Sequence, residues 1–244
     1  MDKWQIKAAD EITDFIRKHI PNVNIKIYGS LLNKDLIDVF SDVDMEVHVQ
    51  NDSNFNIKNF ICMISMFSKH YSVFGYELHA KEKNELLRIC FENGWRFDIS
   101  FMHYNNFDSL SIEGVDNEID NIINQFWFMA SSVLIKIGRG DYLIASHLVL
   151  ELCQLVIVIQ MLVRDKAKST NVHRYGDKED VPIISSLLNN QNKNILFDCM
   201  IIKILSILYL AAEQMDVISD MYKLDYIRKK DKLKTMQRKL IDIH

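Results

Sequence analysis

The sequence is poor in the two residues that most often interrupt helices and strands. It contains seven glycines and two prolines among 244 residues. An all-β sandwich needs many tight turns, and such turns are usually rich in glycine and proline. Hydrophobic residues make up 48% of the chain, so a sizeable core can form. The composition therefore argues against a β-sandwich and favours long helices.

The cysteines lack the spacing that a zinc site or a disulfide framework usually shows. The four cysteines are scattered along the chain, and none forms a Cys-x-x-Cys pair. Closely spaced cysteines are the usual sign of zinc ligands in a sequence. We therefore expect free thiols and no zinc.

An excess of basic residues is also lacking. The formal net charge is −4. Proteins that bind a nucleic acid backbone usually carry a basic face, so we expect no nucleic acid partner. A small cationic substrate suits this charge balance better.

The N-terminus has charged residues where a signal peptide would have an apolar run. One stretch, residues 142–163, is long enough to span a bilayer. It contains polar side chains that are costly in lipid, among them His147 and Glu151. We interpret this stretch as a buried core helix, and we expect a cytoplasmic protein with no membrane partner.

Hydrophobic periodicity divides the chain into a mixed part and a helical part. Strand-like or helical patterns before the acidic segment 113–120 lie at 3–19, 24–28, 42–49, 57–70, 86–91 and 95–102. Helical patterns after it lie at 121–137, 141–165, 196–223 and 225–242. We predict an α+β fold, with a mixed sheet and flanking helices over 1–118 and a helical bundle over 119–244. A cleft between two such lobes is a usual place for a ligand.

The segment 27–49 carries the most informative motif. A strand ends in Gly29-Ser30, eleven residues follow, and an Asp-Val-Asp sequence opens the next strand. Strand alternation places Asp42 and Asp44 on the same face. Adjacent carboxylates repel each other unless a cation lies between them, and Mg²⁺ both takes oxygen ligands and bridges phosphates. Glycine in the turn lets backbone amides approach a phosphate closely.

Asp98 is a third candidate ligand. It lies in a strand-like segment with an apolar residue on each side. An ionised aspartate in the middle of a strand needs a partner. One possible partner is a metal ion shared with Asp42 and Asp44, and the other is an ion pair with Arg88 or Arg96. The residues alone leave both readings open.

This order of motifs resembles the pattern of the polymerase-β-like nucleotidyltransferase superfamily. The pattern consists of a Gly-Ser turn, a spacer, an Asp-x-Asp strand and a later acid. Within this superfamily, the chain resembles bacterial antibiotic nucleotidyltransferases of the lincosamide and streptomycin adenylyltransferase type. A second block, residues 126–142, is similar to the helix pair that opens the second lobe of those enzymes. The resemblance implies a Mg²⁺-dependent transfer of AMP from ATP to a drug hydroxyl, such as that of an aminoglycoside or a lincosamide, with release of pyrophosphate.

The resemblance also implies roles for individual residues in the first domain. Asp42, Asp44 and Asp98 would hold Mg²⁺, while Gly29 and Ser30 would hold the outer phosphates of the nucleoside triphosphate. Asp98 would complete the metal site or act as the general base for the acceptor hydroxyl.

In the second domain the resemblance implies that Lys136 helps to hold the triphosphate, with Arg139 in the adjoining turn. A lysine that merely extends to solvent from a helix end is the alternative. Glu151 shares a helix face with His147 and Gln154. In a cleft it would bind a cationic acceptor or assist deprotonation of its hydroxyl, whereas in the core it would be part of an ion pair.

Two other functions are weighed against this one. The first is transfer to a protein or RNA acceptor, which would be marked by a much shorter catalytic chain or a basic groove. The second is a non-catalytic nucleotide-binding relative, which would usually have lost one carboxylate. The resemblance is also compatible with a homodimer.

Overall fold

The computed structural model describes residues 3–49, 55–65, 67, 72–81, 84–103, 115–168, 197–221 and 228–241. The chain divides into two compact units, Met1–Glu113 and Gly114–His244. A five-stranded mixed sheet with two helices makes up the described part of the first unit, and helices make up that of the second. The predicted α+β architecture is confirmed. The catalytic and acceptor-binding roles assigned to 1–118 and 119–244 stay predictions.

In the described part of the first unit the elements are α1 (Trp4–His19), β1 (Val23–Tyr28), β2 (Val43–Val49), α2 (Ile57–Ile64), β3 (Val73–Lys81), β4 (Asn84–Phe91) and β5 (Arg96–His103). In that of the second unit they are α3 (Val115–Gly138), α4 (Tyr142–Lys168), α5 (Phe197–Met221) and α6 (Lys230–Leu240). Short 3-10 helices at Gly29–Leu32 and Lys34–Leu36 follow β1.

Three elements differ from the sequence prediction. Strand β3 was not predicted, although its residues 76–81 alternate apolar and polar side chains as a strand does. Helix α2 ends at Ile64 rather than at 70, and part of the remaining stretch lies outside the described residues. Helix α3 begins at Val115, so the predicted domain boundary at 118 falls inside it.

The strand order is β1-β2-β5-β4-β3, with β2 and β5 parallel and the other neighbours antiparallel. Strands β4 and β5 form an antiparallel hairpin that turns at residues 92–95. Its Gly94 has a φ of 90°, which L side chains rarely adopt. The Trp95 backbone N–H donates to Asn93 Oδ1 at 3.0 Å, which tightens the same turn. Because β2 and β5 are adjacent and parallel, the two aspartate-bearing strands lie side by side.

The two faces of the sheet differ in character. One face packs against α1 and α2 through buried residues that alternate along the strands. The buried members on the sheet are Val43, Met45, Val47, Val49, Leu87, Ile89, Phe91, Phe97, Ile99 and Phe101. Alternation then directs the intervening polar residues, including Asp44 and Asp98, to the opposite face.

In the second unit, α4 packs against α3 and α5, and α6 packs against α3. Helix α4 is long and apolar enough to cross a membrane, and 28% of its most apolar 18-residue window is buried. Val149, Leu152 and Val156 are buried, whereas Leu143 and Leu150 are exposed. The prediction of a buried core helix therefore holds for one face of α4 only.

The turn between α3 and α4 follows the sequence closely. Gly140 has a φ of 75°, and the Asp141 backbone N–H donates to the Lys136 carbonyl at 2.8 Å. Asp141 Oδ1 accepts a hydrogen bond from the Ile144 backbone N–H at 3.3 Å. Asp141 therefore caps the N-terminus of α4.

Candidate active site

A row of polar side chains crosses the face of the sheet opposite to α1 and α2. The strand register places Tyr28 opposite Asp44, Asp44 opposite Asp98, Asp98 opposite Arg88, and Arg88 opposite Glu77. Directly paired residues of neighbouring strands point to the same face. One residue from each of the five strands therefore contributes to a single polar row.

The centre of this row is a carboxylate triad, formed by Asp42, Asp44 and Asp98. One oxygen from each carboxylate can be chosen so that all three lie within 4.8 Å of one another, and all three residues are half-buried. Carboxylate oxygens at such separations are the ligands that hard divalent cations such as Mg²⁺ prefer. The structure thus brings together the three acids that the sequence singled out.

Burial and mutual repulsion alter the proton affinity of the triad. Burial, followed by the charges of Asp42 and Asp98, raises the pKa of Asp44 to about 6. Burial and the charge of Asp42 also raise the pKa of Asp98, against the lowering effect of Arg88 and Arg96. Since raised pKa values mean that the ionised forms are disfavoured, positive charge at this position stabilises the site.

The structure shows the ion pair that the sequence offered as one reading of Asp98, and the shared metal ion stays a prediction. Its Oδ2 lies 3.1 Å from Arg88 Nε, while Asp42 Oδ2 lies 3.4 Å from Arg96 Nη2. Each of these two contacts is an ion pair. The other oxygen, Asp98 Oδ1, is buried and accepts no hydrogen bond from any residue that the structure describes. A buried acceptor without a donor is costly, and a Mg²⁺ ion shared by the triad would satisfy it.

Gly29 is required by the triad as well as by its own turn. It has a φ of 69°, and a Cβ atom at this position would lie 2.2 Å from Asp44 Oδ2. Any other residue would therefore displace the Asp44 carboxylate. The neighbouring Ser30 hydroxyl is buried, and none of the described residues forms a hydrogen bond with it. This hydroxyl is available to an oxygen-rich ligand such as a phosphate.

Two hydroxyl groups beside the triad, those of Tyr28 and Ser100, were not identified from the sequence. Ser100 hydrogen-bonds the Tyr28 hydroxyl. Burial is the largest cause of a raised Tyr28 pKa, and the charges of Asp44 and Asp98 add to it. The strand alternation that located Asp98 also places Ser100 on the same face, two residues further along β5, and could have identified it.

The remaining predicted site residues lie in the second unit, and their roles stay predictions. Lys136 Nζ is 4.0 Å from Asp141 Oδ2, and Arg139 lies in the adjoining turn. Glu151 Oε1 is 3.6 Å from His147 Nε2, with side-chain exposures of 40% and 68%. Such exposure excludes the reading of Glu151 as part of a core ion pair.

No protein-family model and no curated protein sequence matches the chain significantly. Among solved structures, a cytoplasmic RNA terminal U-transferase has 14% identity and a TM-score of 0.32, over 57% of this chain and 39% of that chain. The polymerase core of TRAMP, an RNA surveillance complex, has 14% identity and a TM-score of 0.31, over 92% and 59%. An aminoglycoside 6-adenyltransferase from Bacillus subtilis has 13% identity and a TM-score of 0.34, over 98% of both chains. The chain thus spans less than two thirds of the first two proteins. We therefore base the functional proposal on the site itself.

The raised pKa of Asp44, about 6 against about 3.9 in an unfolded chain, predicts an unusual pH dependence of stability. Between these values the folded protein holds a proton that the unfolded chain has lost, so this group increases the free energy of unfolding as pH falls. Asp44→Asn should increase the free energy of unfolding at neutral pH by about 1–2 kcal/mol, since the half-buried carboxyl is partly screened by solvent. Thermal melts of both proteins between about pH 7.5 and 5.5 measure this. Parallel pH profiles, with no gain for Asp44→Asn at neutral pH, would contradict the prediction.

Because Gly29 lies so close to Asp44, its substitution should weaken Mg²⁺ binding, which backbone strain alone would not do. Gly29→Ala should lower stability by about 1–2 kcal/mol because of its positive φ, and it should also weaken Mg²⁺ binding by displacing the Asp44 carboxylate. Gly94→Ala is the matched control, since Gly94 has a φ of 90° but no atom within 4 Å of the added Cβ. Melting temperature and Mg²⁺ affinity are measured on both variants. Equal effects of the two substitutions on Mg²⁺ affinity would show that the contact is unimportant.

Proposed function

We propose that this chain is a Mg²⁺-dependent nucleotidyltransferase that transfers AMP from ATP to a hydroxyl of a small-molecule antibiotic, such as an aminoglycoside or a lincosamide. The observation that carries the proposal is the carboxylate triad beside the Gly29-Ser30 turn, in which Asp98 Oδ1 and the Ser30 hydroxyl are buried without a partner among the described residues. A metal ion and a phosphate are the ligands that these two orphaned groups suit.

The residues of the first unit divide the work of binding. Asp42, Asp44 and Asp98 hold Mg²⁺, which when bound neutralises the charge of the triphosphate and of the attacking oxygen. The Ser30 hydroxyl and the backbone amides of its turn bind the outer phosphates. Catalysis then comes mainly from positioning and charge neutralisation, because phosphoryl transfer requires little other chemistry from the protein.

The acceptor hydroxyl loses its proton as its oxygen bonds to the α-phosphorus and pyrophosphate leaves. Asp98 is the candidate base in the first unit, since burial and the charge of Asp42 raise its pKa above that of an ordinary aspartate. Glu151 is the candidate in the second unit.

The second unit is proposed to bind the acceptor and part of the triphosphate. Lys136 and Arg139 supply positive charge for phosphate oxygens. Glu151 supplies negative charge for a cationic acceptor and remains accessible, with 40% of its side chain exposed. The overall charge of −4 is consistent with such an acceptor.

A transfer assay tests the function directly. The protein is incubated with labelled ATP, Mg²⁺ and a panel of aminoglycosides and lincosamides, and drug masses are measured. We expect one drug to gain the mass of one AMP. Asp42→Asn and Asp44→Asn should each reduce the rate by at least about 100-fold, because each removes a charged metal ligand.

Asp10→Asn, an exposed aspartate on α1, is the matched control and should retain full activity. Label found on added RNA or on a protein instead would keep the chemistry and replace the acceptor class. Near-native turnover by either triad variant would contradict the assignment of the metal site.

A second prediction concerns Glu151. If it binds the acceptor or its proton, Glu151→Gln should reduce the transfer rate by about 10-fold or more while ATP affinity and melting temperature change little. Glu213→Gln, which removes another partly exposed glutamate in an ion pair of the second unit, should leave all three quantities nearly unchanged. A stable Glu151→Gln protein with undiminished turnover would leave Asp98 as the base.

A further inference from the structure

Two of the three carboxylates in the triad are already paired with arginines of this chain. Arg88 Nε lies 3.1 Å from Asp98 Oδ2, and Arg96 Nη2 lies 3.4 Å from Asp42 Oδ2. The third, Asp44, forms no ion pair with either arginine in the described structure. Among the described residues, the three carboxylates of the triad thus share two arginines, and one of these, Arg88, also contacts Glu77.

The Arg88 side chain is shared between two acids. Its Nη1 lies 3.9 Å from Glu77 Oε2, on the side away from Asp98. Glu77 Oε2 is in turn 3.1 Å from His79 Nε2. Arg88 is 41% exposed, whereas the Asp98 side chain is 16% exposed. The guanidinium can therefore move towards solvent at low cost, while the buried carboxylate cannot.

An arginine and a Mg²⁺ ion perform the same electrostatic task at such a site. Half-buried carboxylates without a nearby positive charge are costly in free energy. Once an arginine has stabilised them, a Mg²⁺ ion gains less free energy by binding there, and the reverse also holds. We propose that Arg88 and Arg96 are internal counter-ions that stabilise the metal-free triad and thereby lower its affinity for Mg²⁺. This inference rests on the metal site of the proposed function but not on the identity of the acceptor.

The consequence is a coupling between metal and nucleotide. Phosphate oxygens attract guanidinium groups strongly. A bound triphosphate would draw the charge of Arg88 away from Asp98 and leave the triad to the metal ion. Mg²⁺ should consequently bind weakly by itself and tightly with the nucleotide.

If the role of Arg88 were purely structural, its loss would change Mg²⁺ affinity in the opposite direction. If Arg88 only held Asp98 in position, its loss would loosen a ligand and weaken Mg²⁺ binding. If it is a counter-ion, its loss removes a competing charge and tightens Mg²⁺ binding. The sign of the change therefore separates the two roles.

The test is calorimetric titration of the folded protein with Mg²⁺ at about pH 8, which lies above the pKa of about 6 of Asp44. Arg88→Gln should bind Mg²⁺ about five-fold more tightly than the natural protein, as expected for a partly screened charge. Arg88→Lys keeps the charge and should bind with nearly unchanged affinity. Glu77→Gln should bind more weakly, because Arg88 is then no longer shared with a second acid.

Arg96→Gln should shift Mg²⁺ affinity in the same direction as Arg88→Gln. It replaces Arg88→Gln in the test if Arg88→Gln does not fold. Weaker or unchanged Mg²⁺ binding by the folded Gln variants would overturn the inference. Repeating the titration with a non-hydrolysable ATP analogue tests the metal site and the counter-ion role separately. Absence of Mg²⁺ binding by every protein, even with the analogue, would contradict the proposed metal site as well. Nucleotide-coupled Mg²⁺ binding that Arg88→Gln and Arg96→Gln leave unaltered would contradict the counter-ion role alone.

Discussion

Mutual repulsion among three carboxylates on one face of a sheet is the constraint on which the rest of the first unit depends. Asp42, Asp44 and Asp98 present oxygens within 4.8 Å of one another, in surroundings where burial already disfavours their charge. Such an arrangement is stable only with nearby cations and a rigid support. The nearby cations are Arg88 and Arg96, which form ion pairs with Asp98 and Asp42.

The opposite face of the sheet provides the rigid support. Its buried aliphatic and aromatic residues pack against α1 and α2, and dense packing of this kind restricts strand movement. Phe97 and Ile99 flank Asp98 in sequence and are both fully buried. The electrostatic strain on one face is therefore offset by apolar burial on the other, and the carboxylates remain in place although their charges repel.

Much of this arrangement is predictable from short-range patterns. Strict alternation along 42–49 and 95–102 indicates strands and places their acids on a single face. The Gly29-Ser30 turn and its spacing to Asp42 locate the site. Strand β3 is missed although residues 76–81 keep the same period of two, and only the register shift between Val73 and Gly75 departs from it. The roles proposed for Lys136, Arg139 and Glu151 stay predictions, because periodicity places these residues along the chain but does not describe what binds to them.

The sequence by itself determined most of the strands and helices and which of their side chains share a face, because these properties depend on neighbours a few positions apart. The tertiary structure decided which strands lie side by side and in what register. It placed Asp98 beside Asp44, put Arg88 opposite Asp98, and brought Asp44 so close to residue 29 that only glycine fits there without moving the carboxylate. A pattern with a period of two is satisfied by several strand orders and registers. Only the packing of the whole sheet selects one of them, and with it the partners of each charge.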